Sequence, residues 1–235
     1  MTDDELRQQV ALGCRILAEN GHYDFVWGHV SARDPQGRGI WMKPASFGFE
    51  EITAEDVILV GFDGNVLAGQ HLRHVEWPIH TEVMRARSDV DSVVHTHPPH
   101  SIAIGASGQP LLPVSHAGTM FAPPGVPRFS RTAELIVTPE LGTEVAAALA
   151  HHHALFLVNH GIVTAGSSVR DAVIRAVLLE NAARQQILTQ AFGGPRRFSS
   201  DEEALRKRAS VWSEKQLAAL WAYFERRHEP GVRDP

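Results

Sequence analysis

The stretch Val93-Val94-His95-Thr96-His97-Pro98-Pro99-His100 combines a strand signal with a pair of side chains that bind metals. The β-branched Val93 and Val94 favour a strand, and Pro98-Pro99 ends it. Residues two apart on a strand point to the same face, so His95 and His97 are expected to present their imidazoles side by side. Two neutral imidazoles form half of a divalent metal site. A pair of surface or structural histidines has the same spacing, so this stretch alone leaves both readings open.

Composition limits the classes of protein that need to be considered. With 235 residues, 43% of them hydrophobic and 21% charged, the chain is expected to form a single globular domain over residues 1–235. A net charge of -5 without a long basic run argues against nucleic acid and anionic membranes as partners. The single cysteine, Cys14, excludes a disulfide framework, and we expect a cytoplasmic protein. The 14 histidines make metal or proton chemistry worth testing.

The order of the predicted elements indicates the fold class. Asp63-Gly64 separates two short apolar runs and predicts a tight hairpin. Strands come first along the chain and are joined by hairpins, which predicts a mostly antiparallel sheet flanked by helices. Further predictions are a strand over 26–33, a long helix over 168–192 and one C-terminal helix over 200–228.

A third metal ligand and a carboxylate can be proposed from their positions. His160 follows the apolar run Leu155-Phe156-Leu157-Val158, which predicts a buried strand, and it is the best third ligand. A histidine satisfied within the core is the alternative. Glu76 precedes Trp77-Pro78 at a predicted helix start, where it serves either acid–base chemistry or helix capping.

Four motifs together resemble the class II aldolase/adducin family from about Leu6 to about Gln190. They are Gly28-His29-Val30-Ser31-Ala32-Arg33, Glu76 with His80, His95-Thr96-His97-Pro98-Pro99-His100-Ser101, and Asn159-His160-Gly161. All four occur in the family's order and spacing, which is far more specific than any one of them.

The resemblance implies a fold, a cofactor and roles for individual residues. It implies a three-layer α/β/α fold with a central antiparallel sheet, and a homotetramer with sites between subunits. His95, His97 and His160 would bind one divalent metal ion per chain, and Glu76 would be the catalytic acid/base. His80, on the same helical face as Glu76, is expected to support the site rather than bind the metal directly. By spacing, His116 takes the place of a tyrosine that the family's aldolases bring from a neighbouring subunit.

Departures from the family's sugar-phosphate aldolases bear on the substrate. This chain has His29 in place of asparagine, and His74-Val75 in place of the serine pair that holds phosphate. Ser46 is kept as a candidate substrate contact. Because a phosphate prefers hydroxyls and backbone amides, these changes favour a smaller anion such as a carboxylate, to which His29 and His74 would donate hydrogen bonds. Lys43 or Arg73 would add positive charge if either points inward.

The chemistry that the resemblance implies is metal-dependent cleavage of a carbon–carbon bond in a small molecule. Members with Gly-His-Val-Ser resemble decarboxylases of hydroxylated aromatic carboxylates, and the nearby Trp27, Phe47 and Phe49 suit a flat ring. Retro-aldol cleavage of a hydroxy-carbonyl or sugar phosphate is the alternative reaction. The missing serines disfavour an epimerase. A non-catalytic adducin-like scaffold is a remote alternative. Three histidines with oxygen ligands suit zinc, manganese, cobalt or iron.

Overall fold

One eight-stranded sheet organises the part of the chain that the structure, a computed structural model, describes: residues 1–22 and 24–228. The strands are β1 His29–Arg33, β2 Gly39–Met42, β3 Ile58–Gly61, β4 Val66–Ala68, β5 Ser92–Thr96, β6 Arg128–Phe129, β7 Ala154–Leu157 and β8 Gly161–Gly166. Their spatial order is β4-β3-β2-β1-β5-β8-β7-β6. Every pair is antiparallel except β6 with β7. The predicted mostly antiparallel sheet is therefore confirmed.

Helices cover both faces of this sheet. They are α1 Asp3–Leu17, α2 Trp77–Ala86, α3 Pro99–Ser107, α4 Pro139–Leu149, α5 Val169–Thr189, α6 Asp201–Val211 and α7 Glu214–Arg227. Shorter π or 3₁₀ segments span Ala18–His22, Ala117–Met120 and Gln190–Phe192. Within the described residues, the helices lack any segment long and apolar enough to cross a membrane.

The three layers follow from the alternation of side chains along the strands. Val94 points into one core with α1 and α5, whereas its neighbour Val93 points into the other core with α2 and α4. At the second interface, a Cβ on Gly142 of α4 would lie 2.6 Å from the carbonyl oxygen of Pro78 in α2. This close approach fixes α2, which begins directly after Glu76.

Several predicted boundaries differ from the structure. The strand predicted over 26–33 begins at His29, because the chain turns at Phe25 and Gly28, both with positive φ. The C-terminal helix predicted over 200–228 is two helices, because Trp212 leaves helical geometry and Ser213 takes an extended conformation at the start of α7. Helix α3 and strand β8 were not predicted; β5 ends at Thr96, and Pro99 begins α3, where its missing N–H is harmless.

Candidate active site

The register of the three central strands brings the motifs to one end of the sheet. His29 at the start of β1 is paired with His95 near the end of β5. On the other side of β5, Thr96 pairs with Ile162 near the start of β8. Because β5 runs antiparallel to both neighbours, its C-terminal end meets the N-terminal ends of β1 and β8. His97 follows β5 directly, and His160 precedes β8.

The Asn159-His160-Gly161 motif forms the tight turn between β7 and β8. Asn159 has a φ of 59°, a left-handed conformation that asparagine tolerates better than most residues. A Cβ on Gly161 would lie 2.5 Å from the Thr96 carbonyl oxygen and 2.8 Å from Cδ2 of His97, so only glycine fits. His160 therefore lies in a turn, three residues beyond the end of β7 and directly before β8, and not at the strand end where the sequence predicted it.

Glu76 and the three predicted ligands form one compact cluster. One potential ligand atom from each of Glu76, His95, His97 and His160 lies within 4.8 Å of all the others. The Glu76 carboxylate oxygens lie 3.6 Å from Nε2 of His95 and 3.5 Å from Nε2 of His160. These distances are long for hydrogen bonds, and they leave a space that one ion shared by the four groups would fill.

The hydrogen bonding of the histidines fits a metal ion. Nδ1 of His95 lies 2.9 Å from the Ile162 carbonyl oxygen, so Nδ1–H donates and Nε2 carries the free lone pair. Nε2 of His95 and both ring nitrogens of His160 are buried without a hydrogen-bond partner. Such nitrogens cost free energy unless something binds them. Nδ1 of His97 also makes no hydrogen bond, but it lies 2.9 Å from the Asp24 carboxylate, a contact that would orient the ring for a metal.

Glu76 is held at the start of α2 without capping it. Its side chain makes no capping hydrogen bond to α2; instead the backbone N–H of Ile136 donates to Oε1 at 2.8 Å. Burial by itself raises the pKa of Glu76, but His160 and His95 outweigh it and hold that pKa below its usual range. The group therefore faces the cluster as a carboxylate, ready to accept a proton.

His80 lies behind this cluster in a chain of buried polar groups. Its Nε2 is 2.6 Å from Nδ1 of His29, and its Nδ1 is 2.6 Å from the Ser31 hydroxyl. Burial lowers the pKa of His29 and of His80 well below the usual value, so both rings are neutral. His80 thus contacts His29, whose ring centroid lies 5.0 Å from that of His95, and it is not part of the four-residue cluster.

The two basic residues considered from the sequence point in different directions. Lys43 is fully buried, with Nζ donating to the carbonyl oxygens of Val26 and Pro44 and lying 3.4 Å from Nε2 of His74. Burial lowers the pKa of Lys43 to about 8. Arg73 instead donates to the Gly64 carbonyl and packs over the Trp77 ring, away from the cluster.

A cavity of about 490 Å³ opens onto the cluster. Its walls are formed by Asp24, Trp27, Gly28, His29, His74, Val75, Glu76, His97, Leu135 and His160. Among the candidate aromatic residues, Trp27 lines it, whereas Phe47 packs on His71 and Phe49 is buried under Gly28. Ser46 is exposed and lies outside these walls, so the structure does not bring this predicted substrate contact to the cavity of the same chain.

His116 lies in a different part of the chain from the cluster. It lines a separate cavity of about 760 Å³ together with Trp212 and Lys207, and its carbonyl oxygen accepts a hydrogen bond from the Trp212 indole. Within one chain, His116 therefore does not line the cavity beside Glu76.

Comparison with known proteins identifies the chain. A family model described as the Class II Aldolase and Adducin N-terminal domain matches residues 8–187. The chain belongs to the class II aldolase and adducin family. Its sequence is 32% identical over 214 residues to a 3,4-dihydroxyphthalate decarboxylase of Arthrobacter keyseri, covering 83% of this chain and 82% of that protein. It is 35% identical to a 3,4-dihydroxyphthalate decarboxylase of Terrabacter sp. (strain DBF63), with 80% and 82% covered.

The solved structure of an L-fuculose 1-phosphate aldolase from Glaciozyma antarctica PI12 is similar throughout. It superimposes with a TM-score of 0.83 at 25% identity, covering 98% of this chain and 92% of that one. The family expected from the four motifs and the three-layer fold of a class II aldolase are both confirmed.

Two features of this class II aldolase family site were missed from the sequence. Asp24 reaches His97 from a loop, and a single loop aspartate carries no signal of its own. Leu135 and Ile136 come to Glu76 from a segment about 60 positions away, and neither residue type suggests a site. Only the folded chain shows that this segment crosses the cavity.

Replacing His97 with alanine tests the cluster as a metal centre. Removing one of three imidazoles should reduce bound metal from about one ion per chain to a small fraction of that, because too few ligands remain. Elemental analysis after identical dialysis measures the occupancy. His151→Ala is the control, since it removes an exposed histidine outside the cluster and should leave the metal content unchanged. Full occupancy in His97→Ala would contradict the assignment.

Proposed function

We propose that this protein is a metal-dependent carbon–carbon lyase that decarboxylates a hydroxylated aromatic carboxylic acid without phosphate. The observation that carries the proposal is the composition of the cavity wall next to Glu76, where His74, Val75 and His29 stand together with Trp27. Relatives named 3,4-dihydroxyphthalate decarboxylase, which match over most of both chains, support the same reaction type.

The shape and polarity of the cavity favour a flat ring over a phosphate. The exposed faces of Trp27, Val75 and Leu135 give the entrance apolar surfaces on which an aromatic ring can pack. Val75 offers a phosphate no donor, and each unpaired phosphate oxygen held against it would cost about 1–3 kcal/mol. Among the described residues that line the cavity, none is a serine or threonine.

His95, His97 and His160 are proposed to hold the metal ion. Glu76 is proposed to act on the substrate and not as a permanent ligand of the metal. When bound by these three histidines, a divalent metal would supply a Lewis acid that stabilises negative charge developing as a carbon–carbon bond breaks. Zinc, manganese, cobalt and iron all suit this ligand set, so we propose one divalent ion per chain without choosing among them.

Glu76 is proposed to move the proton. As a carboxylate beside the bound oxygens, it accepts the proton of a substrate hydroxyl. The carboxylate of the substrate then leaves as carbon dioxide, and its bonding electron pair remains on the ring carbon. Glu76 returns its proton to that carbon and is again ionised, so no external oxidant or reductant is needed. The lowered pKa keeps Glu76 ionised before the first step, as accepting a proton requires.

A paired assay of dihydroxyaromatic acids and sugar phosphates tests the reaction. We expect carbon dioxide from a dihydroxyaromatic acid with the metal-loaded protein, and no aldehyde from sugar phosphates. Protein stripped of metal with a chelator is the control and should be inactive. Efficient release of an aldehyde from a sugar phosphate, with no action on aromatic acids, would contradict the proposal.

Retro-aldol cleavage is the alternative that a specific observation supports. The chain superimposes on an L-fuculose 1-phosphate aldolase over nearly its full length. A metal centre with a nearby carboxylate serves an aldolase as well as a decarboxylase, so the substrate contacts decide. A scaffold without catalysis is disfavoured, because all four members of the cluster are present.

Glu76→Gln tests the proton transfer by itself. The amide keeps the size of the side chain but cannot carry the proton, so turnover should fall by roughly 100-fold or more while fold and metal content persist. Glu82→Gln is a matched control, because Glu82 lies on the same helix and is also buried but does not line the cavity. Comparable turnover in Glu76→Gln and wild type would show that Glu76 is structural.

We further propose a cytoplasmic homotetramer in which His116 of one subunit reaches the cavity of the next and acts there as a proton donor, with Ser46 also used across subunits. The apolar entrance at Trp27 and Leu135 is suited to a neighbouring chain.

Co-expressed Glu76→Gln and His116→Gln chains should regain activity that neither has alone, because some mixed sites have both groups intact. Light scattering of a fully active monomer would contradict the shared site.

A further inference from the structure

Two histidines in the cavity wall each have one ring nitrogen bound inside the protein and one that faces the cavity. His29 and His74 are both buried, and both line the cavity beside Glu76. The inner nitrogens are Nδ1 of His29 and Nε2 of His74. In a neutral imidazole one nitrogen donates and the other accepts. The inner hydrogen bonds therefore decide what the outer nitrogens offer to a ligand.

The direction of the hydrogen bond at His29 is set by His80. The Val93 carbonyl favours the protonated His80 ring and so acts to raise its pKa, and Val93 is the cross-strand partner of Ser31. Because the Ser31 hydroxyl lies 2.6 Å from Nδ1 of His80, we infer that the carbonyl of its cross-strand partner Val93 also approaches the ring at Nδ1. A carbonyl only accepts, which places the His80 proton on Nδ1. Nε2 of His80 is then the acceptor, and His29 donates to it from Nδ1.

At His74 the same reasoning starts from the Pro44 carbonyl. Nε2 of His74 lies 3.0 Å from this oxygen, which can only accept, so Nε2 carries the proton. The Lys43 ammonium lies farther away, at 3.4 Å, and has the Val26 and Pro44 carbonyl oxygens as its own acceptors. Nδ1 of His74 therefore presents a lone pair.

We propose that Nε2 of His29 and Nδ1 of His74 form an acceptor wall that binds a hydroxyl group of the substrate. The two rings are adjacent, with centroids 4.4 Å apart, and the His29 ring lies next to the metal ligand His95. Two lone pairs repel a carboxylate. The wall therefore accepts hydrogen bonds, whereas the sequence predicted that His29 and His74 would donate them. This inference rests on the proposed function and narrows its substrate class.

The substrate class that fits is an aromatic acid with a hydroxyl in addition to the two adjacent oxygens that meet the metal. His29 and His74 contact that hydroxyl, and His80 and Ser31 are positioning residues that fix the tautomer of His29. An analogue without a donor at this place leaves buried acceptors unpaired and should bind roughly tenfold or more weakly.

A panel of 2-hydroxybenzoates that differ only at ring position 3 tests the wall. With the zinc-loaded protein, calorimetric titration should show the 3-hydroxy and 3-amino compounds, both donors, binding at least tenfold tighter than the 3-fluoro and unsubstituted compounds. In His29→Phe this ratio of affinities should fall below about threefold. Comparing the ratios of the two proteins cancels intrinsic differences in affinity among the ligands. Equal binding of the 3-hydroxy and 3-fluoro compounds to wild type would overturn the inference while leaving decarboxylation intact.

Ring nitrogen-15 spectra of the zinc-loaded protein test the tautomer without any substrate. We expect Nδ1 of His29 to be protonated and Nε2 to be unprotonated, with the signals assigned from their loss in His29→Gln. His80→Phe should convert His29 to a mixture of tautomers, an effect that a purely structural role would not produce. A protonated Nε2 of His29 in wild type would overturn the inference, whether or not aromatic acids prove to be substrates.

Discussion

The register between β5 and its two neighbours is the constraint on which the site depends. It places His29 beside His95 and the turn at His160 beside His97. Since side chains alternate along a strand, a slip of one residue would move His95 to the opposite face of the sheet. Val93 and Val94 prevent such a slip, because each packs in a different core. Hydrophobic packing far from the cavity thus fixes the positions of the polar groups.

Burying so many imidazoles costs free energy of folding. Hydrogen bonds between the buried rings and their neighbours offset part of this cost. His29, His80 and Ser31 satisfy one another in a continuous chain. The nitrogens of His160 have no such partner. A ligand that binds only the folded state stabilises it, so a metal ion at the cluster would strengthen the fold as well as the chemistry.

The fold and the cluster could be predicted because four short motifs occur in the order and spacing of one family, although each motif alone left alternatives open. Alternation around His95 can be recognised in a single chain, whereas the turn at Asn159-His160-Gly161 was predicted only as a strand end. Contacts made across long sequence separations could not be recognised in this way. Sequence alone did not show that Arg73 folds back on Trp77, or that Leu135 crosses the cavity. The break between α6 and α7 depends on two backbone conformations that no periodicity encodes.

The loop that carries Asp24 and Trp27 belongs to two sites at once. Asp24 contacts the metal-ligand candidate His97, and Trp27 forms a wall of the cavity three residues later. Because the Trp27 backbone N–H donates to the Asp24 carbonyl oxygen, a molecule that packs on Trp27 would also restrict Asp24. By thermodynamic linkage, whatever tightens one of these contacts tightens the other. Retention of the ion and affinity for the organic ligand would then be coupled through the same short piece of chain.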